Sequence, residues 1–135
     1  MLAHNSKIYC VPLDSTDILI IDPVANTATR SNMGVYLTST NKWFGGCLGT
    51  NGKIYCAPRN IAGFLVIDPV ANTAANLTLG ADLFDTNKFI GAVLAPNGKI
   101  YCVPFNSTDI AIIDKNASVP ALDIKDCLSP HLNKF

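Results

Sequence analysis

The sequence is poor in charge and in the residues that most often carry catalysis. Of its 135 residues, only 15% are charged and two are histidines, and the formal net charge is zero. This balance, with 49% apolar residues, argues against a disordered chain and against a nucleic-acid binder, which shows a basic excess. No apolar run approaches the roughly 18 residues that span a bilayer. The start, MLAHNSKIYC, lacks the basic and apolar regions of a signal peptide, so we expect a cytoplasmic protein with no membrane partner.

Cysteine is present, but in no pattern that builds a site. Five cysteines are an odd number, which argues against a closed disulfide framework, and no C-x-x-C pair occurs. Cys10, Cys56 and Cys102 recur at one position of an internal repeat, where we expect small buried hydrophobic side chains. The sequence therefore predicts neither a metal centre nor a cofactor.

Cys47 requires a separate argument because a hairpin brings it near another cysteine. If Asn51-Gly52 formed a two-residue turn, Cys47 would lie opposite Cys56. The equivalent turn of the next unit, 95–98, has the proline and glycine placement of a type I turn with a G1 bulge. That longer loop places Cys47 opposite Tyr55, and we expect a free thiol.

A six-residue segment occurs three times at a fixed spacing. It reads KIYCVP at 7–12, KIYCAP at 53–58 and KIYCVP at 99–104, and both intervals are 46 residues. The heptapeptide DPVANTA likewise occurs at 22–28 and again at 68–74. A period of this length is typical of a repeat architecture built from equivalent units.

Each unit predicts four short strands and has no convincing helical period. In the second unit the strands are expected at Trp43 to Leu48, Lys53 to Ala57, Phe64 to Ile67 and Thr73 to about Leu79. Glycine, proline and Asp-Pro turns separate them. In the link that follows, Ala81 to Asp85 has the pattern of one helical turn.

Four antiparallel strands in a repeat of about 40–45 residues are the blade of a β-propeller. With N-G-K-I-Y followed by V-I-D-P and N-T, the repeat resembles those of YVTN, NHL and kelch-type β-propellers over nearly the whole chain. The resemblance implies an all-β propeller of four-stranded antiparallel blades. It implies no single function, since such propellers include binding scaffolds, lectins, lyases and hydrolases. We expect one unit over 1–135, with blades at roughly 1–43, 44–89 and 90–135.

Three blades do not close a ring, because propellers typically have four to eight. The chain holds three periods less three residues, the equivalents of Phe44, Gly45 and Gly46. One interpretation is a head-to-tail homodimer that forms a six-bladed ring, in which the first strand of one blade is split between the termini. The other is a piece of a longer propeller. The period favours the dimer, so a second copy of the chain is the expected partner.

Residues kept in every unit are expected to serve the blade itself. The tyrosines of the KIYC segment are expected to pack between blades, and the aspartates after the third strand to close the next turn. These residues are Tyr9, Tyr55 and Tyr101, and Asp22, Asp68 and Asp114.

Strand order places two sets of loops on one face, near the channel mouth where propellers generally bind ligands. The shorter loops carry Asp14, Asp17, Arg59, Asn60, Asn106 and Asp109. The predicted ligand-binding residues on this face are Asn41, Lys42, Trp43, Arg59, Asn87, Lys88, Asn133 and Lys134. Lysines repeated around a channel mouth would attract an anionic ligand. The alternative is that they are solvated and keep an edge soluble.

These features favour a non-enzymatic binding or scaffold module for an unknown protein or small-molecule ligand. H-E-x-x-H, G-x-S-x-G and P-loop signatures are absent, and no catalytic residue is predicted. One alternative is a propeller lectin, with Trp43 and Phe89 as stacking platforms unless both belong to the core. Another is a lyase or hydrolase, if His4 and His131 meet across a junction of two chains.

Overall fold

The structure, a computed structural model, describes residues 1–35, 37–78 and 86–114. Within these ranges the regular elements are all β-strands. They are β1 (Ile8–Cys10), β2 (Ile18–Asp22), β3 (Thr27–Ser31), β4 (Trp43–Leu48), β5 (Ile54–Pro58), β6 (Gly63–Asp68), β7 (Thr73–Thr78), β8 (Phe89–Leu94), β9 (Ile100–Pro104) and β10 (Ile112–Ile113).

The strands form three antiparallel sheets in chain order. Blade 1 is β1-β2-β3, blade 2 is β4-β5-β6-β7, and blade 3 is β8-β9-β10. At the free edge of β1, Met1 and Leu2 pair with Tyr9 and Ile8. The last two residues of β4 pair with β5 in the same register. The first two residues of the chain therefore form the end of a first strand in blade 1.

Blade 2 has the four strands that the sequence predicts. The bounds of β4 are those expected, and β5 and β6 differ from expectation by one residue at each end. Strand β5 ends at Pro58, which has no N–H to continue the ladder. The helical turn considered at Ala81 to Asp85 lies outside the described residues.

Aspartate closes the turn between the third and fourth strands. The Oδ1 atom of Asp68 accepts hydrogen bonds from the N–H groups of Val70 and Ala71, both at 3.0 Å. Asn72 follows with a φ of 54°, a left-handed conformation that asparagine tolerates. Asp22 closes the corresponding turn of blade 1 in the same way. The expected role is confirmed at these two positions, and the turn after the third aspartate lies outside the described residues.

Alternation along the strands produces two apolar cores, one on each face of blade 2. The core between blades 1 and 2 includes Tyr9, Ile18, Ile20, Trp43, Ile54, Cys56, Leu65 and Ile67. The core between blades 2 and 3 includes Tyr55, Ala57, Phe64, Phe89, Ile100, Cys102, Ala111 and Ile113. Tyr9 and Tyr55 therefore pack between blades, as the repeat predicted.

The cysteines of the described chain, Cys10, Cys47, Cys56 and Cys102, are free thiols. Cys47 lies opposite Tyr55 in the ladder. The turn before it is of the longer kind, with Gly52 at a φ of 76°. Burial raises the pKa of Cys47 to about 11 and that of Cys56 to about 12, so both are protonated at neutral pH. The expectation of unpaired thiols is confirmed for these four residues, and that of burial is confirmed for Cys56 and Cys102, whereas Cys10 is partly exposed.

Candidate functional site

The loops between the second and third strands lie on one side of the three sheets, which we call the loop face. They span 11–17, 59–62 and 105–111. Because successive antiparallel strands reverse direction, the links that enter β4 and β8 reach the same face at 41–42 and 87–88. The opposite side, which carries the turns between first and second and between third and fourth strands, is called the turn face.

The two Asn-Lys pairs in the described part of the chain are each tied to a loop of the preceding blade through the asparagine backbone. The N–H of Asn41 donates to Oδ1 of Asp14, and the N–H of Asn87 donates to Oδ1 of Asn60, both at 2.6 Å. Asn41 and Asn87 have φ values of 51° and 52°, in the left-handed region where asparagine is favoured. The asparagines and their acceptors thus fix where each link turns into an inner strand.

The two lysines that follow these asparagines are buried. Their exposed fractions are 1% for Lys42 and 0% for Lys88, and Nζ of Lys42 donates to the carbonyl oxygen of Ser39. Burial lowers the pKa of Lys42, while the Asp14 carboxylate opposes the shift. Lys42 and Lys88 are therefore enclosed, whereas the two hypotheses had them at an open channel mouth or solvated. The reason is that the backbone of each lysine is hydrogen-bonded between the loops of two blades, which encloses its side chain.

The aromatic residues that open the inner strands are also enclosed. Trp43 is 1% exposed and Phe89 0% exposed. The indole Nε1–H of Trp43 donates to the carbonyl oxygen of Gly63 at 2.7 Å, which satisfies its polar atom inside the core. A buried ring offers no face on which a sugar stacks, so the structure favours the core alternative for both residues.

Arg59 has a different environment from the rest of the predicted site. Its side chain is partly exposed, and Nε donates to Oδ1 of Asn87 at 2.7 Å across the boundary between blades 2 and 3. The guanidinium carbon lies 5.4 Å from the centroid of the Phe44 ring, within cation–π range. The equivalent residues of the other units are Leu13 and Phe105, so this cation belongs to one blade only.

Phe44 was not among the residues predicted from the sequence. Its ring is 43% exposed, and its equivalent in the next unit is Ile90. The sequence did contain a signal for Phe44. The residue after the inner-strand aromatic is itself aromatic only in the second unit, which also carries Arg59. Departures from the repeat, rather than repeated residues, mark this site.

The remaining predicted loop residues form hydrogen bonds within their own loops or to a neighbouring link. Oγ of Ser15 accepts from the N–H of Asp17, and Oγ of Ser107 accepts from the N–H of Asp109, both at 3.1 Å. The N–H of Asn106 donates to a carbonyl oxygen of the neighbouring link at 3.1 Å. These contacts support loop geometry on either side of Arg59.

Three residues considered from the sequence, Asn133, Lys134 and His131, lie outside the described residues. His4 is exposed and lies in the turn before β1, on the turn face and therefore on the side opposite Arg59. In the described ranges, no group of three or more His, Cys, Asp and Glu side chains suits a metal ion. The same part of the chain holds no helix long and apolar enough to cross a membrane.

Comparison with known proteins identifies the fold. The sequence matches no protein-family model and no curated protein. Three solved structures are similar: a catalytically inactive virginiamycin B lyase from Staphylococcus aureus with quinupristin, a selenomethionine-substituted virginiamycin B lyase from the same organism, and a streptogramin B lyase. The TM-scores are 0.65, 0.66 and 0.61, and the identities are 11%, 16% and 12%.

Each match covers 85% of this chain, which spans only 36% of the length of the matched chain. The sheets described above are therefore blades of a β-propeller, and the all-β propeller predicted from the repeat is confirmed. At these identities the likeness concerns the fold.

Proposed function

We propose that this chain is a non-enzymatic binding module that takes a small anionic ligand at Arg59 on the loop face. The observation that supports the proposal is the fixed guanidinium, which Asn87 and the Phe44 ring hold at the boundary between two blades. Because Nε of Arg59 donates to Asn87, the Nη groups are the donors that remain for a ligand.

An arginine held in place is suited to carboxylates and phosphates. The guanidinium is always charged and presents paired donors that match two oxygens of such a group. Since the side chain is already oriented, less conformational entropy is lost on binding. Lys42 and Lys88 are buried, so Arg59 makes the direct contact with the ligand.

Binding of succinate and of inorganic phosphate, measured by isothermal titration calorimetry, tests this role. Hydrogen bonds to charged groups are worth about 1.5–3 kcal/mol, so Arg59→Gln is expected to weaken binding about tenfold or more. Lys53→Gln is the control, because it removes one positive charge from the turn face, on the side opposite Arg59. Equal affinity of the wild type and Arg59→Gln for both anions would refute the proposed site.

We further infer that the module functions as a closed ring. The described residues form three blades, whereas propellers typically have four to eight. Two chains joined head to tail supply six, and three chains would supply nine, above the usual range. Closure of the ring fixes the inner strands and hence the loops that carry Arg59.

The similar lyases suggest a second candidate, a lyase acting on a compound like quinupristin. Its support is the shared fold and the presence of quinupristin with one of those proteins. In the described part of the chain the one histidine is His4, on the face opposite Arg59. Incubation of the protein with quinupristin, followed by liquid chromatography, distinguishes the candidates. Disappearance of intact quinupristin supports the lyase, and full recovery supports a binding module.

A further inference from the structure

We propose that the outer face of blade 1 binds blade 3 of a second copy of this chain, and that an aromatic side chain of that copy fills a cleft above Cys10 and Leu19. This assigns the two surfaces of the ring closure proposed above and rests on it. Equivalent positions in the three blades support this proposal. Blade 2 is covered on both faces, by blade 1 and by blade 3, and so shows what type of surface covers each face.

The first observation is an apolar face on blade 1 that is buried in the other blades. In blade 2 the cross-strand pairs Ile54–Ile67 and Cys56–Leu65 are all 0% exposed, because blade 1 covers them. In blade 3 the corresponding face is 1–6% exposed beneath blade 2. In blade 1 the same positions are all partly exposed and are accompanied by Leu2, at 62%. These positions are Ile8, Cys10, Leu19 and Ile21.

The second observation is the matching face on blade 3. In blade 1 the opposite face, with Tyr9, Ile18 and Ile20, is 0–9% exposed because blade 2 covers it. The equivalent residues of blade 3, Tyr101, Ile110 and Ile112, are partly exposed, and Val103 beside them is 40% exposed. Blade 3 thus presents the same type of surface as the face of blade 1 that covers blade 2. The outer faces of blades 1 and 3 therefore match in the same way as the facing surfaces of neighbouring blades within the chain.

The third observation is a cleft of about 310 Å³ on the outer face of blade 1, with Cys10, Leu13, Asp17, Leu19 and Arg30 in its lining. In blade 2 the corresponding region holds the Trp43 side chain, which crosses to Gly63, the equivalent of Asp17. The chain supplies an inner-strand aromatic at Trp43 and Phe89, each after Asn-Lys. It carries a third Asn-Lys-aromatic segment, Asn133-Lys134-Phe135, at the same 46-residue spacing.

The fourth observation concerns backbone donors beside this cleft. In blade 2 the N–H groups of Arg59 and Asn60 donate to the carbonyl oxygens of Lys42 and Asn41, at 2.8 and 2.9 Å. The corresponding contacts in blade 3 run from its loop to Lys88 and Asn87. The equivalent donors in blade 1 belong to Leu13 and Asp14, for which the described ranges provide no acceptor. The carbonyl oxygens of Lys134 and Asn133 of a second copy would occupy these places.

Oligomeric mass and two variants test the assignment. Size-exclusion chromatography with light scattering should give twice the mass of one 14.4 kDa chain. Leu19→Lys on blade 1 and Ile112→Lys on blade 3 each block one face, so each variant alone is expected to lose the dimer. Val24→Lys is the control, because Val24 is 86% exposed in a turn away from both faces. Circular dichroism verifies that each variant is folded.

Mixing the two blocked variants distinguishes a contact between blade 1 and blade 3 from a symmetric interface between like faces. Leu19→Lys retains an intact blade 3 and Ile112→Lys an intact blade 1, so an equimolar mixture should recover a species of dimer mass. Phe135→Ala is expected to weaken the wild-type dimer, and it provides the readout if a lysine variant fails to fold. A dimer in which Phe135→Ala has no effect would remove the proposed occupant of the cleft.

Several outcomes would overturn the inference. They are a wild-type monomer, a dimer that persists in both lysine variants, a mixture that remains monomeric, and an assembly of more than two copies. Succinate and phosphate binding is measured on the same wild-type sample. A monomer that binds either anion through Arg59 would refute the interface and leave the binding site standing, whereas a dimer without binding would do the reverse.

Discussion

The turn aspartates are the residues whose charge the fold most clearly uses. Asp68 accepts two backbone hydrogen bonds and lies 3.1 Å from the ammonium group of Lys53, and Asp22 repeats the arrangement with Lys7 at 3.5 Å. The pKa of each carboxyl group is lowered, and the largest cause is a backbone hydrogen bond, to Ala71 for Asp68. The ionised form is therefore held mainly by the turn, and the exposed lysine is secondary.

A double variant, Asp22→Asn with Asp68→Asn, is expected to reduce the dependence of stability on acid pH. A lowered folded pKa contributes stability that is present above the unfolded pKa, about 3.8–3.9, and is lost as pH falls through the folded pKa. Asparagine keeps the Oδ1 acceptor and cannot ionise. Urea unfolding at several pH values between about 5 and 2 should therefore show a shallower fall in the free energy of unfolding for the variant.

Salt provides the control for this prediction. The lysine contacts are exposed and are screened at about 1 M salt, whereas the backbone hydrogen bonds are not. Most of the difference between wild type and variant should persist at high salt. A difference that disappears there would show that the ion pairs, and not the turn, hold the carboxylates.

At the candidate site, the sequence predicted the face on which residues lie but not their burial or their contacts between blades. The repeat predicted one face for Arg59 and the Asn-Lys pairs, and strand order places Arg59, Asn41-Lys42 and Asn87-Lys88 on that face in the structure. It did not give the burial of Lys42, which depends on loop contacts such as that between Asp14 and Asn41, 27 residues apart. The contact between Arg59 and Asn87 spans 28 residues and two blades, and no local pattern encodes it.

The inner strands of blades 2 and 3 approach each other closely. A Cβ atom on Gly45 in β4 would lie 2.9 Å from Cα of Gly91 and 3.0 Å from the carbonyl oxygen of Ile90 in β8. Gly45 also has a φ of 65°, which favours glycine. The bulge at the start of β4 therefore lets two blades meet backbone to backbone.

Replacement of this glycine by alanine is expected to be costly, in contrast to the same change one repeat later. Overpacking and the left-handed backbone together predict a loss of about 2–4 kcal/mol for Gly45→Ala. Gly91 has no heavy atom within 4 Å of an added Cβ, so Gly91→Ala should change stability by no more than about 0.5 kcal/mol. Urea unfolding of both variants measures the difference, and equal effects would contradict the proposed contact.

The strands were the part of the fold most accessible from sequence. The bounds of β4 were predicted without error because aromatic, glycine and turn residues delimit it on both sides, and Pro58 limits β5. The repeat reinforced each assignment, since every signal appears more than once. The register at Cys47 followed from the turn length, which the second copy of the turn disclosed.

At the scale of the whole molecule, the open faces of blades 1 and 3 are of different kinds. Within the chain, a face of the Tyr9 type covers a face of the Ile54 type, so the contact proposed between two copies is head to tail and not a symmetric contact of like faces. The apolar side chains of the blade 1 face are partly exposed, so each would gain part of the roughly 1.5–3 kcal/mol that complete burial of an exposed large apolar side chain provides. That gain adds to the net stability of each folded chain, which is typically only about 5–15 kcal/mol for a domain, so association and stability are linked.

Coupled folding and association predicts that stability depends on protein concentration. Each tenfold increase should favour the dimer by about 1.4 kcal/mol and raise the midpoint of unfolding. A tandem protein, in which Phe-Gly-Gly joins Phe135 of one copy to Met1 of the next, preserves the 46-residue period across the junction. Its unfolding midpoint, measured by urea titration, should not depend on concentration, because both halves belong to one molecule. A four-residue spacer is the control, because a shift of one residue turns every side chain of the joined strand to the other face and should destabilise the tandem. A wild-type midpoint that is constant over a hundredfold range of concentration, or equal stability of the two tandems, would contradict a ring in which an inner strand of blade 1 is completed by a second copy.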